Sequence, residues 1–309
     1  MEAVNLNSKS GLMEAIRYFS DPQICLDTVS AAKWPKGPEC PRCKSKRLSF
    51  LSTRLMWTCL ECHKQFSVKV GTIFEDSPVG LDKWLAAMWL VANCKNGISS
   101  YEVGRDLQVT QRTAWFMLHR IRYAMHTGSI NKMTGTVEAD ETFIGGKARF
   151  MHKHKRERKI RGRGPMGKVV VFGLLARETG KVRTSVVNTR RKGELQEHVR
   201  ENVEPGAEVF TDALKSYDGL QSDYAHKVID HAEAYVDGKV HTNGLENFWS
   251  LLKRAIKGTY VSVEPFHLFR YLDEQCFRYN ERKATDAERF AMVLCSVGGK
   301  RLTYAQVRG

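Results

Sequence analysis

The chain has 309 residues, of which 42% are hydrophobic and 27% charged, and its formal net charge is +15. The length indicates two or three folded units, and the composition is that of a folded protein. The excess of Lys and Arg favours a polyanionic partner. The best apolar run, WLAAMWLVA, is far shorter than the ~20 residues of a bilayer-spanning helix, and the first ten residues lack the pattern of a secretory signal. We therefore expect a cytoplasmic, nucleoid-associated protein.

Residues 1–75 are predicted to form an N-terminal helix and a zinc ribbon. Two C-x-x-C pairs separated by fifteen residues can offer four thiolates to a tetrahedral ion, and the segment between them alternates enough for two short strands. Paired disulfides would need an oxidising compartment, and a redox C-x-x-C would need a βαβ context that neither pair has. We predict one structural Zn²⁺, with His63 as a spare ligand candidate. The predicted zinc ligands are Cys40, Cys43, Cys59 and Cys62.

Residues 76–132 are predicted to form a helix-turn-helix unit. After one helix from Leu81, Ser99 or Ser100 can cap a short helix, and Thr110 can cap a longer one with apolar residues at helical spacing. Gln111 and Arg112 would lie at the start of the second helix, where base edges are read. An ordinary helical hairpin is the alternative; the neighbouring zinc ribbon and the basic charge favour DNA binding.

Residues 133–285 change to an α/β pattern of three strands, a helix, a strand, a weaker strand and a final helix, in which the first and fourth strands can be neighbours. Within this region, residues 147–168 contain ten Lys or Arg and one acid, Glu157. This basic segment is interpreted as a solvated loop that contacts phosphates. Residues 286–309 are predicted to be a C-terminal tail. The predicted DNA contacts in the basic segment are Lys153, Lys155, Arg156, Arg158 and Arg161.

Asp140 and Asp212 each end or interrupt a β-rich run. Burying a carboxylate in a sheet is costly unless a cation or hydrogen bonds compensate for it. If the two strands are adjacent, the pair can share a divalent metal, and Mg²⁺ suits oxygen ligands. The alternative is that both are acids at strand ends or turns. Glu138 shares a strand face with Asp140 and is the main rival, whereas Glu141 points away.

The stretch HTNGLENFW allows two interpretations. Asn243 and Glu246 have the spacing of a helix-capping box, and Glu246 also lies on the shoulder of the buried stripe, from where it can approach the sheet. A capping box would engage Glu246 at the backbone of Asn243, and metal binding would release it. Lys253 and Lys257 on the same face are candidates to hold a phosphate backbone.

Four motifs in this order resemble DDE-type insertion-sequence transposases, most closely the bacterial family with an N-terminal zinc ribbon that is related to Merlin elements. They are WPKGPECPRCKS, VEADETFIGG, VFTDALKSY and HTNGLENFWSLLKR. The resemblance implies a ribonuclease H-like (retroviral integrase-like) core and an acidic triad that binds two Mg²⁺ or Mn²⁺. Asp140 matches the first acid and Asp212 the second. For the third we favour Glu246 over Asn243, which stays as an alternative or auxiliary ligand, because an anionic oxygen binds Mg²⁺ better. His241 is a further candidate for contact with DNA.

The resemblance implies a transposase that binds the inverted-repeat ends of its element, cleaves them by two-metal phosphoryl transfer and joins the 3′ ends to target DNA. The expected partners are double-stranded DNA and further copies of the chain, as a homodimer or a higher oligomer. Two alternatives stay open. One is a DNA-binding regulator with a catalytically silent core, and the other is a nuclease that cuts without joining.

Overall fold

The computed structural model describes residues 11–126, 128, 131–146, 151–160, 167–229 and 241–308. In this part of the chain the protein is a mixed α/β structure. The helices are α1 (Leu12–Tyr18), α2 (Pro22–Lys33), α3 (Leu81–Asn93), α4 (Ser100–Asp106), α5 (Gln111–Met125), α6 (Lys153–Lys159), α7 (Lys192–Asn202), α8 (Asn243–Ala255), α9 (Leu268–Asn280), α10 (Asp286–Cys295) and α11 (Tyr304–Arg308). The strands are β1 (Leu48–Leu51), β2 (Met56–Cys59), β3 (Gln65–Phe66), β4 (Thr136–Ile144), β5 (Val169–Ala176), β6 (Lys181–Val187), β7 (Glu208–Asp212) and β8 (Ala225–Ile229).

Two compact units account for these elements. The terminal unit comprises Met1–His126 together with Glu281–Gly309, and the central unit comprises Thr127–Asn280. None of the helices in the described ranges is both long and apolar enough to cross a membrane.

The terminal unit combines a small sheet with a helical core. Strands β1, β2 and β3 form an antiparallel sheet in that order. The predicted caps of the next helices are confirmed: Ser99 accepts from the backbone N–H of Glu102 at the start of α4, and Thr110 accepts from that of Thr113 at the start of α5. The two helices pack closely, since a Cβ on Gly104 would lie 3.1 Å from the Val109 carbonyl oxygen. Their role in reading DNA stays a prediction.

Residues 286–309, expected to be a tail, contain two helices that complete this core. Thr285 and Glu288 form a capping box at the start of α10. The buried Phe290 ring lies 5.4 Å, between centroids, from the rings of both Phe19 and Trp89. Arg120 of α5, also buried, donates to the carbonyl oxygen of Leu302 at 2.9 Å. The capping box in TDAE was the sequence signal for this helix, because Thr and Glu three residues apart satisfy each other's backbone donors.

The central unit is a five-stranded mixed sheet with the order β6-β5-β4-β7-β8. Strands β4, β5 and β6 are antiparallel neighbours, whereas β7 is parallel to both β4 and β8. The predicted adjacency of the first and fourth strands, β4 and β7, is therefore confirmed. One face of the sheet packs on α7 through Leu195 and Val199, and the other packs on α8 and α9 through residues that include Leu245 and Leu272.

Candidate active site and cysteine cluster

Two acids flank the point where β4 and β7 separate. The last backbone pair of these parallel strands is Glu138 with Phe210, and Asp140 and Asp212 each lie two residues further along. β7 ends at Asp212. Because alternate residues of a strand share a face, both acids lie on the face that α8 covers, as does Ile144. The register of the sheet thus places the two predicted acids on the same face at neighbouring strands.

The half-buried Asp140 carboxylate accepts a hydrogen bond at each oxygen. Oδ1 accepts from the backbone N–H of Glu141 at 2.8 Å, and Oδ2 accepts from the indole N–H of Trp249 at 2.9 Å. Burial raises the pKa of Asp140 to about 6; the negative charges of Asp212 and Glu246 contribute to the increase, and the bond from Trp249 opposes it. Asp212 and Glu246 therefore both lie within electrostatic reach of Asp140.

Glu141 is a further carboxylate at this point, although strand alternation directs it away from Asp140. Its side chain is 4% exposed, and its Oε2 accepts from the Tyr217 hydroxyl at 2.7 Å, while Arg190 Nη1 lies 3.7 Å from its Oε1. Burial raises the pKa of Glu141 to about 7, and the charges of Asp212 and Asp140 add to the effect. Its adjacency to Asp140 was the sequence signal that could have found it. The pairing of β4 with β7 ends at Glu138, so residues on both faces of β4 can reach the space beyond that point.

The start of α8 corrects the predicted capping box. Asn243 is the first residue of the helix rather than its cap, and Thr242 at the cap position makes no side-chain capping bond. The acceptor comes from the sheet instead: Glu138 Oε2 accepts from the backbone N–H of Leu245 at 3.0 Å. Gly244 permits this approach, since a Cβ there would lie 2.8 Å from Glu138 Oε2. Glu138, the rival to Asp140, thus anchors the helix.

A buried ion pair completes the anchor of α8. Arg177 Nε donates to Glu138 Oε1 at 2.8 Å, and the Glu138 side chain is only 2% exposed. Arg177 Nη2 lies 2.8 Å from His241 Nδ1. The predicted DNA contact His241 is therefore engaged in this network, two residues before the helix.

A cleft of ≈ 590 Å³ joins Asp140, Glu141 and Glu246 to a basic face of α8, and Asp212 is not among its described lining residues. Burial lowers the pKa of Lys253, and the charges of Lys257 and Lys168 lower it further, while the charge of Asp140 opposes this. Glu246 lines the cleft, and Asn243 is not among its described lining residues. The Asn243 Oδ1 atom is buried without a hydrogen-bond partner among the described residues. The cleft is lined by Asp140, Glu141, Thr142, Glu246, Trp249, Ser250, Lys253, Arg254 and Lys257.

The four predicted zinc ligands converge in the terminal unit. Their sulfur atoms all lie within 4.8 Å of one another, with Cys40 and Cys62 at 3.6 Å and Cys43 and Cys59 at 3.5 Å. None of them is in a disulfide. A tetrahedral ion with Zn–S bonds of about 2.3 Å separates its sulfurs by roughly 3.8 Å, so the cluster fits zinc. The spare candidate His63 is exposed and is not part of the cluster.

The other predicted DNA contacts lie on the surface or outside the described residues. Gln111 donates to Ser100 Oγ at 2.8 Å, and Arg112 donates to the Tyr304 hydroxyl at 2.7 Å. In the basic segment, α6 exposes Lys153, Arg156 and Arg158. Arg161 and the side chain of Lys155 lie outside the described part of the chain.

Comparisons with known proteins match both units. Residues 132–280 match the family model of an ISXO2-like transposase domain, and residues 21–65 match that of a transposase zinc-ribbon domain. An uncharacterized protein in transposable element ISH50 of Halobacterium salinarum is 26% identical over 254 residues, which cover 78% of this chain and 85% of that protein. An uncharacterized transposase-like protein of Haemophilus influenzae is 34% identical over 101 residues, which cover 32% of this chain and 81% of that protein. The zinc-ribbon match and the four-cysteine cluster together support a structural zinc.

Proposed function

This chain belongs to the IS1595 family of insertion-sequence transposases with an N-terminal zinc ribbon, and on that premise we propose that it cleaves the inverted-repeat ends of its own element and joins the 3′ ends to target DNA. The proposed chemistry is two-metal phosphoryl transfer. The observation that carries it is that the charges of Asp212 and Glu246 both act on Asp140, near the point where β4 and β7 separate. Acids brought together in this way are typical of a site that holds cations.

The donor set fits Mg²⁺ or Mn²⁺. All three side chains offer carboxylate oxygens, the ligands that these ions prefer, and the neighbouring charges that raise the pKa of Asp140 are of the kind that a cation offsets. Asp140, Asp212 and Glu246 would hold the ions, and the unpartnered Oδ1 of Asn243 is the auxiliary oxygen. When bound, the ions supply electrostatic stabilisation of an in-line displacement at phosphorus.

The chain's own residues bind and orient the DNA strand. Lys253, Arg254 and Lys257 line the cleft beside the acids, where their positive charges can hold the phosphates that flank the scissile bond. Glu138 and Arg177 fix the start of α8 against the sheet. Glu246, the fourth residue of that helix, is thereby kept beside Asp140 in the cleft.

We also propose that the central unit has a ribonuclease H-like fold. Its strand order supports this, because three antiparallel strands are followed by two parallel ones on the far side of the first strand. The terminal unit is proposed to recognise the element ends through the ribbon and the α4–α5 pair, with Gln111 and Arg112 at the start of α5. Two or more copies would be needed to hold two ends in one complex.

Asp212→Asn tests the proposed chemistry. The variant should bind a duplex that carries the element's end as wild type does, but should lose Mg²⁺-dependent cleavage and strand transfer. The exposed Asp218→Asn is the matched control, because it makes the same change six residues after Asp212, outside the proposed metal ligands, and should keep both activities. Wild-type strand transfer by Asp212→Asn would refute the proposal. Wild-type cleavage products whose 3′ ends are never joined to a target duplex would instead support a nuclease.

A further inference from the structure

The indole of Trp249 reaches from α8 to the carboxylate of Asp140. Its Nε1–H donates to Asp140 Oδ2 at 2.9 Å, and the side chain is 4% exposed. Trp249 lies three residues after Glu246, so the two side chains are neighbours along one side of the helix. A single bond therefore links the helix that carries one proposed metal ligand to the strand that carries another.

Gly173 makes room for this bond. In the antiparallel register of β4 and β5, Gly173 is the direct partner of Asp140, and directly paired residues present their side chains to the same face. A Cβ at position 173 would lie 2.6 Å from both Cη2 and Cζ2 of Trp249. The six-membered ring of the indole thus occupies the space that a side chain would take beside Asp140.

We infer that Trp249 is a positioning residue for Asp140, holding the carboxylate in one orientation for a divalent cation, and that Gly173 is required for it. The inference rests on the proposed function, because it takes Asp140 to be a metal ligand. Each Asp140 oxygen accepts one hydrogen bond, from Glu141 or from Trp249, and a carboxylate oxygen keeps a second lone pair for another partner. Partners that orient a metal ligand in this way affect metal affinity strongly.

A purely structural tryptophan can donate its indole N–H to any acceptor. Trp84 provides the comparison, since it is equally buried in the terminal unit and donates its indole N–H to Ser77 Oγ at 3.1 Å. Both residues fill a core and satisfy one donor, but only Trp249 satisfies it on a proposed metal ligand. The two tryptophans are therefore a matched pair for separating a core role from a positioning role.

The first experiment measures Mn²⁺ binding by electron paramagnetic resonance in the absence of DNA, with thermal unfolding as a check of the fold. Trp249→Phe keeps an aromatic ring and removes the donor, and we expect it to weaken Mn²⁺ binding about 10–100-fold. Gly173→Ala keeps the donor but displaces the ring, and should weaken binding similarly. Trp84→Phe should bind as wild type does. Wild-type affinity in a folded Trp249→Phe protein would overturn the inference.

The second experiment measures the wild-type chain and uses variants only to assign its signals. With ¹⁵N-labelled tryptophan the protein gives six indole signals, one for each Trp. Addition of Mg²⁺ should move the signal of Trp249, identified by its absence from Trp249→Phe or, if that variant does not fold, by its shift in Asp140→Asn. A Trp249 signal that does not respond to saturating Mg²⁺ would overturn the inference.

Loss of Mn²⁺ binding in Asp140→Asn with unchanged binding in Trp249→Phe refutes the inference alone, whereas wild-type binding by Asp140→Asn refutes the proposed function as well.

Discussion

Charge and position both distinguish Glu246 from Asn243 at the residue scale. Glu246 lines the cleft with Asp140, and its negative charge contributes to the raised pKa of that residue. Asn243 offers a neutral oxygen, buried and without a partner among the described residues. An anionic oxygen is the stronger ligand for Mg²⁺, so we assign the third position to Glu246 and an auxiliary role to Asn243.

This assignment predicts unequal effects for one substitution at each of the two positions. Glu246→Gln should reduce Mg²⁺-dependent cleavage by more than the roughly 10–100-fold that loss of an outer partner costs, because it removes a ligand's charge without changing its size. Asn243→Ala should stay within that range. Cleavage rates at saturating DNA and several Mg²⁺ concentrations test the order. If Asn243→Ala were the more damaging variant, the two roles would be exchanged.

The sequence predicts part of this site, and the missing part has a physical cause. Strand ends are local properties, and they predict that Asp140 and Asp212 can share a divalent metal if their strands are adjacent. That the two acids share a face follows from the pairing of β4 with β7. The bond between Trp249 and Asp140 joins residues 109 positions apart. It depends on how α8 crosses the sheet and on the space that glycine leaves at position 173. No periodic pattern in the sequence indicates either of these.

At the scale of elements, the start of α8 shows why a capping motif alone is insufficient to predict how a helix is capped. Asn243 and Glu246 have the right spacing, but a carboxylate from β4 is already placed at the backbone donors of the first turn. A buried acceptor that also pairs with Arg177 satisfies such a donor better than a flexible side chain in the helix itself. The tertiary contact therefore displaces the local one, which leaves Glu246 to project into the cleft.

In the cysteine ribbon, by contrast with the start of α8, the local sequence determines the fold. After each C-x-x-C pair the chain takes a left-handed turn, with φ of 61° at Lys44 and 55° at His63. The Lys44 and His63 N–H groups each donate to the carbonyl oxygen of the first cysteine of their own pair at 3.0 Å. Two equivalent loops therefore present two sulfurs each, and the ion substitutes for the core that so small a segment lacks.

Loss of the ion should therefore unfold the ribbon. We expect Cys40→Ser with Cys43→Ser to abolish bound zinc, because two remaining thiolates cannot replace the roughly 10–16 kcal/mol of a complete structural site. Zinc content by atomic absorption and proteolysis within residues 44–58 measure the two effects. Cys295→Ser is the control, since Cys295 is exposed and outside the cluster. A double variant that retains one zinc per chain and resists proteolysis would contradict the prediction.

At the scale of the whole molecule, the net charge of +15 raises the question of whether DNA binding depends on total charge or on the basic segment. Replacing Lys153, Arg156 and Arg158 of α6 by Ala should lower both the affinity for a duplex and its salt dependence. The slope falls by about 0.9 for each phosphate that the protein no longer neutralises. Fluorescence anisotropy over a range of salt concentrations measures both.

A second triple variant, with the same net charge as the α6 variant, is the control. Lys95, Lys215 and Lys283 are exposed and lie outside the basic segment, and replacing them by Ala removes the same three charges. We expect this control to alter the slope little, because long-range charge is screened within about 10 Å at 0.1 M salt. Equal slopes for the two triples would show that the basic segment makes no particular contact with phosphates.

Residues before and after the central unit meet in one core, which makes the terminal unit dependent on residues that follow the central unit in the chain. Phe290 is fully buried against Phe19 and Trp89, so Phe290→Ala should lower the free energy of unfolding of this unit by about 3–5 kcal/mol. Urea unfolding followed by tryptophan fluorescence reports mainly on this unit, because five of the six tryptophans lie in residues 34–115. Met292→Ala is the control on the same helix, with a side chain 36% exposed. If both variants unfolded at the same urea concentration as wild type, α10 would lie on the terminal unit without stabilising it, and the C-terminal residues would be the tail that their sequence suggests.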